Sequence, residues 1–243
     1  MNTEQTTQQL QHLKLHGMAK RYEATLALGV HEQPEAHTLI ALLTEAELAY
    51  RRHQRTELYL RLSKLRYHAV PEEINCTPGR GITKENLAAL CDGSFVEKAE
   101  HVLITGATGC GKSYLACAIG RQACMLGHRT LYFSMNRFIE ALATARLDGS
   151  YIKWLNHIAK MPLLILDDFG LQPLTHDMKL TLLQILEDRF AKQATIVTSQ
   201  LPINKWYEYI DEPTIADAVC DRLTANSHRI ALKGESLRKK KND

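Results

Sequence analysis

Two hydrophobic periodicities divide the chain. From Leu10 to about His68 apolar residues recur at helical spacing, with Leu13, Met18, Tyr22 and Leu26 on one stretch and Leu39, Leu42, Leu43, Ala46 and Tyr50 on another. This predicts a small all-helical domain. Residues 51–66 read as its last, basic helix, with Leu58, Leu62 and Leu65 on one face and Arg51, Arg52, Arg55, Arg61, Lys64 and Arg66 over the rest. Such a face is either solvated or set against phosphates, and the pattern leaves both readings open. Pro71, Pro78, Gly79 and Gly81 then interrupt any helix, so a linker is expected, followed by a helix over 83–90. Beyond Val102 short apolar runs alternate with helical ones. Residues 101–105, 130–135, 163–166, 195–198 and 229–232 read as buried strands, with helices over 113–126, 137–147 (Asn136 as its cap), 151–160 and 177–191 between them. Apolar strands separated by helices predict an α/β fold with a parallel sheet covered on both faces. The expected division is a helical domain over 1–70, a linker over 71–95, an α/β core over 96–235 and a basic tail over 236–243.

The chemistry is concentrated where the first strand meets its helix. Gly106, Ala107, Thr108, Gly109, Cys110, Gly111, Lys112 and Ser113 match the phosphate-loop pattern G-x-x-x-x-G-K-[ST]. The glycines let the backbone turn its N–H groups inward at the positive end of the helix. Lys112 is expected at the β and γ phosphates of a nucleoside triphosphate, and the Ser113 hydroxyl at Mg²⁺. A glycine-rich turn without a ligand is the competing reading; a strand, loop and helix in register disfavour it. Leu163 to Asp168 is an apolar run ending in two carboxylates, the form of a Walker B strand. Asp167 is expected in the metal's ligand shell, and Asp168, leaving a regular strand in the opposite direction, beside an attacking water. One strand intervenes between phosphate loop and Walker B, which fits the additional-strand class of P-loop proteins. Thr198, Ser199 and Gln200 end the fourth strand where that class places a polar sensor, so Gln200 or Ser199 is expected to reach the γ-phosphate or the water. Arg222 is a candidate arginine finger; an ion pair of its helix with Asp217, Asp221 or another neighbour is the alternative.

Composition narrows the setting. The 243 residues exceed a typical domain of ~100–150 and allow one large core with a smaller appendage. The polar N-terminus lacks a signal-peptide design, and no apolar run approaches the ~20 residues needed to span a bilayer. The six cysteines, Cys76, Cys91, Cys110, Cys117, Cys124 and Cys220, form no Cys-x-x-Cys pair, so a reduced, cytoplasmic location is expected. A net charge of +3 neither requires nor excludes a polyanion, and the basic residues of 51–66 and 238–241 matter more than the sum. His12 and His16 stand one helical turn apart without an evident third ligand, and Trp154 and Trp206 read as core residues.

The phosphate loop, Leu163 to Gly170, Thr198 to Pro202, Trp206, Asp221-Arg222-Leu223 and Lys233 to Arg238 together resemble the IstB family of AAA+ ATPases, the helper proteins encoded beside a transposase in bacterial insertion sequences. The resemblance runs from about Leu10 to Arg238. Leu15 to Lys20 and Thr44 to Arg66 are similar to that family's helical N-terminal domain. The loop and Walker B are common to all AAA+ proteins, including DnaC-type helicase loaders; the segments around Arg222 and Arg238 discriminate better. The resemblance implies a P-loop AAA+ core that uses ATP and Mg²⁺. It also implies a homo-oligomer across the ATP site that multimerises on double-stranded DNA, remodels target DNA, and recruits and stimulates a cognate transposase. Carried onto this chain, Gly106 through Ser113 and Gln200 contact nucleotide, Ser113 and Asp167 hold the metal, and Lys112, Asp167, Asp168 and Arg222 serve hydrolysis, Arg222 from a neighbouring subunit. Arg238 is a further candidate for nucleotide contact. Gln200 stands where the family has Asn, and residues 67–96 depart from the family's aromatic and acidic linker. A DnaC-like replicative helicase loader is the runner-up, and a small-molecule P-loop kinase lacks the arginine-rich lid it would need.

Overall fold

His101–Gly106 (β1), Thr130–Ser134 (β2), Leu163–Phe169 (β3), Ala194–Ser199 (β4) and Ser227–Leu232 (β5) pair in parallel as one sheet, in the order β2-β3-β4-β1-β5. The computed structural model describes residues 3–237. The helices are Thr3–His12 (α1), His16–Leu26 (α2), Ala36–Ser63 (α3), Lys84–Cys91 (α4), Ser94–Glu97 (α5), Lys112–Met125 (α6), Met135–Leu147 (α7), Tyr151–Ala159 (α8), His176–Arg189 (α9), Trp206–Ile210 (α10) and Pro213–Thr224 (α11). β4 stands between β1 and β3, which is the additional-strand arrangement of an AAA+ core.

Strand alternation assigns the two faces of the sheet. Val102 and Ile104 of β1, Leu163 and Ile165 of β3 and Ile196 of β4 join one buried cluster with Leu115, Ile119 and Phe95. Leu103, Leu164, Leu166 and Val197 join the other with Phe138, Ile158, Leu182, Trp206 and Val219. With both faces covered, the central strands are apolar throughout instead of alternating with polar residues. Local chemistry sets the helix starts: Thr83 accepts from Asn86 N at the head of α4, and Thr175 from Met178 N at the head of α9. α7 begins at Met135 with Ser134 as its cap, not Asn136, because β2 turns straight into the helix at Ser134.

Contacts divide the chain into two units, Met1–Leu58 and Tyr59–Asp243. Residues 71–95, expected as a linker, supply Ile82, Leu87, Leu90 and Phe95 to the first cluster of the second unit. The prolines and glycines do break the chain there, into two short 3₁₀ turns and a bridge between Thr77 and Ile82, but a broken backbone can still bury its side chains. The basic helix expected over 51–66 also ends early: α3 stops at Ser63, and Lys64 takes a left-handed φ of 55°. Arg66 is therefore not on that helix.

In the first unit, the N-cap Leu15 offers α2 no side-chain acceptor. The buried carboxylate of Glu47, on α3, does so instead, accepting from Gly17 N at 2.8 Å and Met18 N at 3.2 Å while Arg51 Nε donates to it at 2.7 Å. Burial pushes this carboxyl up, but Arg51 and the two backbone N–H groups outweigh it and hold it below its ordinary value. The approach is close: a Cβ on Gly17 would stand 2.7 Å from Glu47 Cα. Glu47→Ala should cost about 2 kcal/mol, seen as roughly 30-fold faster hydrogen exchange of the α2 amides, because it strands two donors at a helix N-terminus. Gly17→Ala should accelerate the same amides by forcing α2 off α3.

His101 lies buried in β1 and its Nδ1 accepts from Thr195 N at 3.1 Å. Burial, with the nearby Arg189 charge, pulls the imidazole down from 6.5 to about 4. The unfolded chain then binds the extra proton first, so the stability is intact above the ordinary histidine range and is lost as pH falls toward 4. Denaturant melts should show an acid loss approaching about 3 kcal/mol from this group. The loss should shrink in His101→Gln, whose amide oxygen can still accept from Thr195.

Candidate nucleotide site

Three C-terminal strand ends, those of β1, β3 and β4, lie side by side at one edge of the sheet, and the expected site residues converge there. β1 ends at Gly106, and the loop turns through Gly109 (φ 81°) and Gly111 (φ 98°), left-handed conformations that a side chain would strain. At Gly109 a Cβ would also collide with the side chain of Ser236. Gly111 caps α6, so the N-terminus of that helix faces the loop. Lys112 is almost fully buried and its Nζ donates to the Gly106 and Ala107 carbonyls, each at 2.9 Å. Ser113 Oγ donates to Asp167 Oδ1 at 2.8 Å, joining the loop to β3. Thr108 Oγ1 donates to Gln200 Oε1 at 2.7 Å, joining it to the end of β4. Gln200 thus reaches the loop where Asn is usual. Ser199 is turned away, fully buried, and donates to the Phe169 carbonyl at 2.6 Å.

Walker B is not a regular strand. Leu166 pairs with Val197 and Phe169 with Ser199, so Asp167 and Asp168 together face the single residue Thr198. Asp168 sits in the left-handed region at φ 62°, a conformation Asp tolerates better than most residues. This is a β-bulge at a functional edge. Its consequence is visible in the core, where Phe169 follows Leu164 and Leu166 onto the same face. Thr198 fills the gap: its hydroxyl donates to Asp167 Oδ1 and accepts from Asp168 N at 3.0 Å. The opposed directions expected for the two carboxylates from strand alternation are therefore replaced by a shared corner. Arg66 Nη1 lies 3.9 Å from Asp167 Oδ2 and 3.6 Å from Asp168 Oδ2.

Asp167 is fully buried and accepts from Ser113, Thr198 and, at 2.6 Å, the Tyr132 hydroxyl on β2. Burial and this carboxylate raise the Tyr132 phenol far above its usual range, which keeps it a donor. A cleft of about 540 Å³ opens between Lys112, Ser113, Tyr114, Tyr67, Arg66 and Gln200, and a second of about 840 Å³ adjoins it, sharing Arg66, Asp168 and Leu171. The donor set suits a metal-bound triphosphate. Ser113 and Asp167 offer hard oxygen ligands within hydrogen-bond distance of each other, and the loop N–H groups with Lys112 suit the phosphates.

Several contributors were not legible in the chain. Arg80, inside the expected linker, donates from Nη2 to the Cys110 carbonyl at 2.9 Å, and its own carbonyl accepts from Lys233 N at 2.9 Å. Leu237 N donates to the Gly109 carbonyl at 3.0 Å, so residues 236–237, expected as part of the tail, lie against the phosphate loop. Only the resemblance around residues 233–238 hinted at this. Arg238 and the basic run to Lys241 fall outside the described residues. Tyr132 carried no signal of its own. Arg222, on α11, donates to the Ala218 carbonyl at 2.9 Å and pairs at 2.7 Å with a neighbour, Glu187 of α9, in place of Asp217 or Asp221. Neither contact is to the phosphate loop of its own chain. Among the described residues no helix is long and apolar enough to cross a membrane.

In solved structures, the core is similar to DnaI (TM-score 0.59, 20% identity, 68% of this chain and 92% of the other) and to the DnaC helicase loader (TM-score 0.56, 20% identity, 69% and 98%). It is also similar to the replication initiator DnaA bound to AMPPCP and single-stranded DNA (TM-score 0.57, 19% identity, 71% and 52%). At these identities the likeness is one of fold. In sequence, the chain is 41% identical to an insertion-sequence ATP-binding protein of Sinorhizobium fredii over 96% of both chains. It is 38% identical to one of Pseudomonas fluorescens over 83% of this chain and 88% of the other. The profile of the IstB-like ATP binding proteins matches residues 8–243, so the chain belongs to that family.

Proposed function

We propose that this protein is a Mg²⁺-dependent ATPase that multimerises on double-stranded DNA, remodels the target duplex, and recruits and stimulates a partner transposase. The observation that carries the ATPase part is the contact of Ser113 Oγ with Asp167 Oδ1 at the mouth of the phosphate loop, beside Asp168 and Gln200. The transposition part is supported by the insertion-sequence relatives, which match along nearly the whole chain. Ser113 and Asp167 would hold Mg²⁺, and when bound with ATP the ion supplies neutralisation of charge on the β and γ phosphates.

The protein's own residues do the rest. The loop amides and Lys112 bind and orient the phosphates, Thr198 and Tyr132 keep Asp167 in place, Gln200 holds the loop at Thr108, and Asp168 takes the position of the group that polarises water. Phosphoryl transfer needs further positive charge at the transferring oxygens. Arg222, engaged with Glu187 in its own chain, supplies it to an adjoining copy, which makes hydrolysis conditional on assembly. The fold shared with DnaC and DnaI does not by itself bring their partner, and a paired pull-down with transposase and with replicative helicase separates the two.

Light scattering with and without Mg-ATP and long duplex should show ATP-driven assembly of the intact chain and none for Lys112→Ala. Arg222→Ala should bind nucleotide and assemble but lose turnover by about 10³-fold or more. A chain that stays monomeric with saturating Mg-ATP and duplex would sink the assembly reading. DNA affinity should fall steeply with salt, as phosphate contacts require. Arg52→Glu with Arg55→Glu should weaken it while leaving Glu47 and Arg51 paired; unchanged affinity at moderate salt would remove the exposed face of α3 from the DNA contacts.

A further inference from the structure

One basic side chain stands at the hydrolysis edge without a part in the reading above. Arg66 lies three residues beyond the end of α3, past the left-handed turn at Lys64, and its neighbours anchor it: Leu65 packs on the core and Ala69 is fully buried. Its guanidinium lies 5.4 Å from the centre of the Tyr67 ring on one side and within 4 Å of both Walker B carboxylates on the other. The same side chain lines both the phosphate-loop cleft and the larger cleft beside it.

Asp167 is located by three hydroxyl donors from three elements, and needs no arginine for its direction. Asp168 is different. It is partly exposed, its backbone N–H is spent on Thr198, and the bulge has turned its carboxylate out of the strand's alternation toward Arg66. A planar guanidinium with several donors can hold one carboxylate near another, which a point charge does less well. The arginine is half exposed, so its pair contributes little to stability; its effect is on direction.

We propose that Arg66 is a positioning residue for hydrolysis in its own chain, gathering the Asp168 carboxylate beside Asp167 and fixing the side from which it meets the attacking water. This rests on the ATPase reading. The test uses the full-length chain with Mg²⁺, duplex DNA and ATP, and binding of AMPPCP measured separately by calorimetry. Arg66→Ala should lower kcat about 10- to 100-fold while KM and AMPPCP affinity change less than about threefold, with melting temperature unaltered. Arg66→Lys should recover part of the rate. A wild-type kcat in Arg66→Ala overturns the proposal. So does a loss of kcat matched by an equal loss of AMPPCP affinity or of thermal stability, which would mark Arg66 as a nucleotide contact or a structural residue. If the unaltered protein binds AMPPCP but does not turn over ATP, the hydrolysis reading falls and takes this one with it.

Discussion

A carboxylate removed from water must have its lone pairs satisfied, and at Asp167 this requirement organises the edge of the sheet. Its partners come from the start of α6, from β2 and from β4: Ser113, Tyr132 and Thr198. Each sits on a different element, so the three elements can meet Asp167 only if the strands lie in the order seen, with β3 between β2 and β4. The phosphate loop is tied to the same point through Ser113. Loop, acidic strand and β4 are thus held by one buried acceptor.

The bulge at Asp168 follows from the same crowding. Thr198 serves Asp167 with its proton and Asp168 with its lone pair, which puts two acidic residues opposite one and tips Asp168 into a left-handed turn. Local strain of this kind, modest for Asp, persists where surrounding contacts over-determine it. The β4 hydroxyl, the Arg66 guanidinium and the Leu171 N–H, which donates to the Asp168 carbonyl, are among those contacts.

The first unit uses the same device at smaller scale. Glu47 stands in for the missing cap of α2, and Gly17 lets the two backbones close to the distance that this needs. The Leu15 to Lys20 segment that marked the family resemblance therefore has a physical content: a helix start shaped to receive a carboxylate from another helix.

What the chain determined by itself was whatever depends on short-range pattern. The strands of the core, the helices between them as far as β4, the phosphate loop and the acidic strand end were legible because periodicity and turn chemistry act over a few residues; α10 and α11 were not placed. The additional-strand class followed from their order. Tertiary structure decided the rest. Residues 71–95 read as a linker because prolines and glycines report backbone breaks, not burial, yet Ile82, Leu90 and Phe95 are core. Arg66 read as part of a basic helix because periodicity does not register a single left-handed residue, yet Lys64 turns it to the carboxylates. Arg80, Tyr132 and Leu237 meet the loop or its acidic partner from far along the chain, and only packing could bring them there.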